Sequence, residues 1–145
     1  MNPDLLELVE YSFSDASNKL RTIKIHYLDE WEISLLESLL SGILEGFKRT
    51  IDNYAIIHTH NKHGQEKKEI SRGQVPVVMT DYLLIPEIVK VPDKISVGEK
   101  SNIGTELIIY EKEIKEIIYF YVEEVRKKRK SLAMKTLYKR KASTK

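Results

Sequence analysis

The chain has 145 residues, one domain's length, of which 41% are hydrophobic, 32% are charged and none is Cys. That composition excludes a disordered chain, a collagen-like rod and a disulfide scaffold, and the lack of Cys removes thiolate zinc sites, Cys nucleophiles and iron–sulfur clusters. Lys and Arg number 24 against 22 Asp and Glu, but ten of the basic residues and no acid lie from Arg126 onward, so the parts before and after that point carry −8 and +10. Such asymmetry suits one face or tail that meets a polyanion; a solvated basic tail is the plainer alternative.

The opening MNPDLLELVE has no basic n-region, and the longest apolar stretch, Leu35 to Leu44, is broken by Glu37, Ser and Gly. Neither a signal peptide nor a membrane span is expected, and the chain reads as cytoplasmic. After a weakly patterned start, Arg21-Thr-Ile-Lys-Ile-His-Tyr27 alternates as a strand does. Asp29 can cap a helix with Ile33, Leu36, Leu39 and Leu40 at helical spacing and Gly42 as its C′ residue. Residues 1–50 thus read as an α-rich accessory segment ahead of a main body, 51–145, the two forming one compact unit.

A second helix is expected between Asp52 and Gly64, with Asp52 or Asn53 as its cap and Gly64 able to take a left-handed conformation past the end. Three histidines ride on it: His60 and His63 share a face, and His58 points roughly the other way. Gln65 to Ser71 reads as a polar linker. Thr80 or Asp81 can cap a further short helix, with Pro86 near its start and Pro92 forcing its end. From Lys94 the period becomes two, and KISVG, TELIIYEK, EIIYFYVEEVR and SLAMKTLYK read as strands separated by SNIG, Glu113-Ile-Lys115 and Lys127-Lys-Arg-Lys130. Connections so short cannot be crossovers, so the expectation is an α+β fold with N-terminal helices packed on a four-stranded antiparallel meander.

Three constellations can carry chemistry. The run His58-Thr-His-Asn-Lys-His-Gly64 offers imidazoles, which exchange protons near neutral pH. A metal reading of His60 and His63 finds no HExxH pattern and no carboxylate at ligand spacing, and surface histidines at a helix C-terminus are the bland alternative. Arg72-Gly-Gln74 puts a five-donor fork beside a glycine, with Gln74 able to bond a base edge or a backbone. In the last strand, alternation puts Met134, Thr136 and Tyr138 on one face, with Lys135 and Lys139 opposite; a hydroxyl pair flanked by cations suits a phosphate. Ile118, Phe120 and Val122 mark one face of the preceding strand as core, leaving Tyr110, Tyr119 and Tyr121 as packing residues or a stacking platform. No Walker sequence, Gly-rich phosphate loop or GxSxG elbow is present.

TIDNYAIIHTHNKHG, RGQVPVVMTDYLLIPEIVKVPDKI, TELIIYEKEI and YFYVEEVRKKRKSLAMKTLYKRK, in this order over about residues 50–141, resemble the phage-associated nuclease-like domains of the barnase–EndoU–colicin–RelE group. The resemblance implies a small ribonuclease fold needing no metal or other cofactor, with RNA lying across the sheet. It implies functional positions at His58, His63, Gly64, Arg72 to Gln74, Asp81, Lys135, Thr136 and Tyr138, and Ile57 stands where it implies an Arg. The chemistry implied is attack of an RNA 2′-hydroxyl on the adjacent phosphate, with His63 as base or acid and His58 the alternative. Arg72 and Lys135 would be its electrostatic groups, Thr136 and Tyr138 its positioning or proton-relay hydroxyls, and Gln74, Arg126, Lys128, Arg129, Lys139 and Arg140 its further RNA contacts. Partners implied are RNA and a protein inhibitor or phage structural protein, as for toxin-like modules of mobile elements. The alternative is a non-catalytic nucleic-acid-binding or protein-interaction domain that keeps the fold.

Overall fold

The structure, a computed structural model, describes residues 2–15, 17–98, 100 and 104–142, so the expected SNIG turn lies, except for Gly104, outside the described residues. Helix α1, Pro3–Ser12, begins with Pro3 in its first turn and Asn2 as its cap, the Leu5 N–H donating to Asn2 Oδ1 at 3.1 Å. Its apolar set Leu5, Leu8 and Val9 spans little more than one turn, too short a pattern to be read from sequence, yet it is buried. Strand β1, Thr22–Tyr27, and helix α2, Glu30–Leu39, follow as expected. Asp29 and Glu32 form a reciprocal capping box at the start of α2. The helix ends at an extended Leu40, so Gly42, with φ 97°, serves the following turn and not the helix.

Strand β2, Lys48–Asp52, was not expected, because its buried side presents Arg49 beside Ile51 and so shows no apolar alternation. Asp52 then caps α3, Asn53–His63, accepting from the Ala55 N–H at 2.8 Å. Gly64 has φ −94°, not a left-handed value; its small size matters instead, since a Cβ there would lie 2.6 Å from the His60 carbonyl oxygen. The expected polar linker is a short helix, α4, Glu66–Ser71. A 3-10 turn, Met79–Leu84, runs into α5, Ile85–Lys90, with Pro86 in the first turn of α5. Asp81 lies inside that 3-10 turn and accepts from the Val78 N–H at 2.8 Å.

Strands β3, Lys94–Gly98, β4, Leu107–Ile114, β5, Ile117–Arg126, and β6, Ser131–Lys141, pair antiparallel in sequence, but the sheet does not end with them. It has six strands in the order β1-β2-β6-β5-β4-β3 and is mixed, because β2 lies parallel to the start of β6, Lys48 to Thr50 against Ser131 to Ala133. The segment 1–50 therefore supplies β1 and part of β2 as well as helices, and a boundary at residue 50 falls inside a strand. The β4–β5 turn is Lys115-Glu116, both at positive φ, so β4 continues through Glu113 and Ile114, and of the three residues expected to turn Lys115 does so.

One face of the sheet is covered by helices, and the tyrosines are on it. Tyr110, Tyr119 and Tyr121 are buried in the core with Leu5, Ile56, Ile88, Leu132 and Leu137. Ile118 and Phe120 are half-buried on the opposite face, with Val122 buried beside them, which reverses the expected assignment. Tyr110 Oη accepts from Arg49 at 2.9 Å and Tyr119 donates to Asp81 at 3.1 Å, so these two rings lose little by burial, whereas the buried Tyr121 hydroxyl has no hydrogen-bond partner among the described residues. Arg49, fully buried, donates to Glu123 at 2.6 Å and to Glu32 at 2.7 Å, clamping β2 to β5 and α2. Among the described residues no helix is long and apolar enough to cross a membrane.

Candidate active site

The site is built where the C-terminal end of α3 meets the free edge and outer face of β6. His63, the last residue of α3, is buried, and its Nδ1 lies 3.2 Å from both carboxylate oxygens of Glu69. An ionised carboxylate only accepts, so Nδ1 carries the proton and Nε2 is left as the basic nitrogen. Glu69, wholly buried on α4, also accepts from Arg72 at 2.8 Å, and the same Arg72 nitrogen donates to the Lys62 carbonyl at 2.8 Å. Burial pushes the His63 pKa down; the pull of Glu69 opposes this without overcoming it, and the charges of Lys62 and Arg72 add to the lowering. His63 is thereby kept neutral around pH 7 while still oriented by a carboxylate.

The RGQ motif holds this arrangement together. Arg72 ties α4 back to the end of α3, and Gly73 takes φ 71°, a left-handed value that suits glycine. The Gln74 N–H then donates to the Glu69 carbonyl at 2.8 Å, and Val75 bridges to Lys139 on the β6 edge. The Gln74 Oε1 is buried with no hydrogen-bond partner among the described residues.

On β6 a bulge decides which residues face the histidine. Met134 pairs with Glu123 and Thr136 with Val122, leaving Lys135 as an extra residue that shifts the alternation. Paired residues share a face, so Met134, Leu137 and Lys139 go with the buried tyrosine side, and Thr136 and Tyr138 are on the other. The expected grouping of Met134 with Thr136 and Tyr138 does not hold for this reason. The Tyr138 ring lies 5.4 Å from the His63 ring and stacks on Phe120 at 4.8 Å, while the Arg140 guanidinium lies 5.5 Å from the Phe120 ring centre. Thr59, on α3, donates to the Thr136 hydroxyl at 3.4 Å. Burial, with a smaller contribution from Glu111, raises the Tyr138 pKa against the opposing charge of Arg140, so its hydroxyl keeps its proton.

His58 lies one and a half turns up α3 in an open cavity of about 590 Å³ that it lines with Lys135, Arg126, Arg129, Asp52 and Glu124. His60 packs edge-on against Phe13 of the N-terminal segment, 5.0 Å between ring centres, whereas His63 meets Glu69 and Tyr138. The sequence-expected groups thus form two neighbouring sets along α3 and β6, His63 with Arg72 and Tyr138, and His58 with Lys135, Arg126 and Arg129. Lys128 is exposed on the β5–β6 turn. Lys139 stands apart: it is buried on the inner face, 2.7 Å from Asp81, which neutralises its charge and removes it from any RNA-facing surface.

Sequence reasoning missed Glu69, Glu111 and Phe120. Glu69 had one usable signal, an acid three residues before Arg72 where the two can pair along a helix turn. Among the described residues no group of three or more His, Cys, Asp or Glu is placed to hold a metal ion. The sequence model of a family described as phage-Barnase-EndoU-ColicinE5/D-RelE like nuclease3 matches residues 29–145, a span holding every one of these groups. No curated protein and no solved structure matches the chain.

Proposed function

The chain belongs to the phage-Barnase-EndoU-ColicinE5/D-RelE like nuclease family, and from that premise we propose that it is a ribonuclease cutting RNA by 2′-hydroxyl transesterification with side chains alone. The observation that carries the proposal is His63 held between the buried Glu69 carboxylate and the Tyr138 ring. Neutral His63 takes the 2′-hydroxyl proton on Nε2, and the imidazolium that forms is stabilised by Glu69. The 2′-oxygen bonds to phosphorus, the bond to the 5′-oxygen breaks, and that oxygen receives a proton from Tyr138. The products are a 2′,3′-cyclic phosphate and a 5′-hydroxyl, and proton transfer from His63 to the tyrosinate resets the site. Arg72 and, from the neighbouring set beside His58, Lys135 supply positive charge to the phosphorane, and Thr136 a hydroxyl to position it; Gln74, whose Oε1 is buried, is left out of the RNA contacts.

The test is cleavage of RNA by the purified protein in EDTA. A positioned base is worth about 10²–10⁴-fold, so His63→Ala should cut activity by at least about 10²-fold. An RNA with a 2′-deoxy sugar at the scissile position should stay intact. Full activity in His63→Ala with loss in His58→Ala would move the base to His58. RNA binding without turnover in the unaltered protein would favour the non-catalytic binding domain. A toxin role with a protein inhibitor or phage partner belongs to the same proposal, and growth arrest by the unaltered chain but not by His63→Ala would support it.

A further inference from the structure

The β5–β6 turn separates two concavities, and only one of them belongs to the candidate active site. The second, about 650 Å³, lies on the other side of the turn, and Arg126 and Arg129 line both. Lys127 and Lys128 line the second concavity and are absent from the lining of the first. Its lining is strongly basic, with Glu106 the acid among its described residues. That acid is already used: its two oxygens accept from the Ser41 N–H at 3.1 Å and the Ser41 hydroxyl at 2.9 Å, and Lys127 lies 3.7 Å away. Arg126 is braced as well, donating twice to Glu124, at 2.8 and 2.6 Å, so its guanidinium stays at the junction of the two concavities.

From this continuity we propose that the second concavity binds the phosphate backbone of the same RNA strand, outside the nucleotides that flank the scissile bond. The inference rests on the ribonuclease reading and deepens it, making the enzyme sensitive to substrate length. Flexible, exposed lysines bind phosphates as point charges without reading bases, so the added contacts are independent of sequence and release counterions on binding. Each phosphate neutralised on a single strand contributes about −0.7 to the slope of log affinity against log salt.

The experiment measures the affinity of the full chain for non-cleavable 2′-deoxy-substituted oligonucleotides of about 4 and about 12 residues over a range of salt, lengths chosen to span one binding groove. The 12-mer should bind at least about tenfold tighter than the 4-mer, with a salt slope steeper by about 1.4, the value for two phosphates. In K127Q/K128Q, which alters exposed turn residues and removes the Lys127–Glu106 pair, and whose folding is checked by thermal melting, the 12-mer affinity and slope should fall to those of the 4-mer. Equal slopes for the two lengths in the unaltered chain, or an unaltered 12-mer slope in the variant, would overturn the second phosphate site and leave the ribonuclease reading standing. Failure of the unaltered chain to bind either length would overturn both. Lost binding of an acidic protein in the variant, with RNA binding unchanged, would assign the concavity to a protein partner instead.

Discussion

Glu69 decides what His63 can do. A histidine at an exposed helix end would titrate near its ordinary value and rotate freely, whereas this one is fixed by a carboxylate and desolvated by the packing of α3, α4 and β6. Activity that depends on neutral His63 should fall as pH drops through its lowered pKa, so the acid limb of kcat/KM lies below the ordinary histidine value of about 6.5. Glu69 pulls that pKa upward, so Glu69→Gln should move the limb to still lower pH while kcat falls on the order of 10²-fold from loss of orientation. A pH profile of the variant checks both, and a limb moving to higher pH would show that Glu69 does not face the reacting histidine. The residue was visible in the sequence, but its burial was not, since nothing in EKKEIS marks one acid as inside.

At the scale of elements, β2 is the strand that makes the fold more than a meander. It joins the sheet through three pairs with β6 and through Arg49, whose guanidinium meets Glu123, Glu32 and Tyr110. Burial pushes the Glu32 carboxyl up, but hydrogen bonds from His26 and Arg49 and the Arg49 charge outweigh it and hold the carboxyl at about 2. Removing the cation leaves buried Glu123 without its ion-pair partner and Glu32 with only His26 and the Asp29 N–H, so Arg49→Met should destabilise by about 3–5 kcal/mol. That corresponds to a fall in Tm on the order of 10 °C. A melting temperature within about 2 °C of the unaltered protein would mean that the clamp contributes little. Strands β3 to β6 were legible from their period and short turns; β2 was hidden because its buried position is a charged residue that only distant partners make acceptable.

For the whole molecule, the family match begins at residue 29, yet the structure does not. Leu5 is fully buried, Leu8 and Val9 nearly so, and buried Asn53 accepts from the Arg21 N–H and donates to the Ser17 and Lys19 carbonyls, stitching the first segment to α3. A chain shortened to residues 29–145 loses this packing and the β1 pairing, and should unfold without a cooperative transition and expose apolar surface to dye binding. A sharp melt for the shortened chain would show that the segment is dispensable. The charge asymmetry keeps its meaning at this scale with one amendment: the basic excess lies on the β5–β6 turn, the Lys135 bulge and the end of β6, while Lys139 is spent internally on Asp81.

By itself the sequence determined the local elements: the capped helices α2 and α3, the four period-two strands and the basic C-terminal end. Those follow from interactions within a few residues, namely caps, alternation and charge runs. Only the tertiary structure decided which face of the sheet is core, where Thr136 and Tyr138 lie relative to His63, and which cations remain outside. Each of those outcomes depends on a contact between distant positions: Arg49 with Glu123, 74 residues apart, Lys139 with Asp81, and the bulge at Lys135 against β5. A single extra residue in β6 reverses the alternation beyond it, and a buried ion pair turns a polar residue into core. Neither effect can be read from one strand alone.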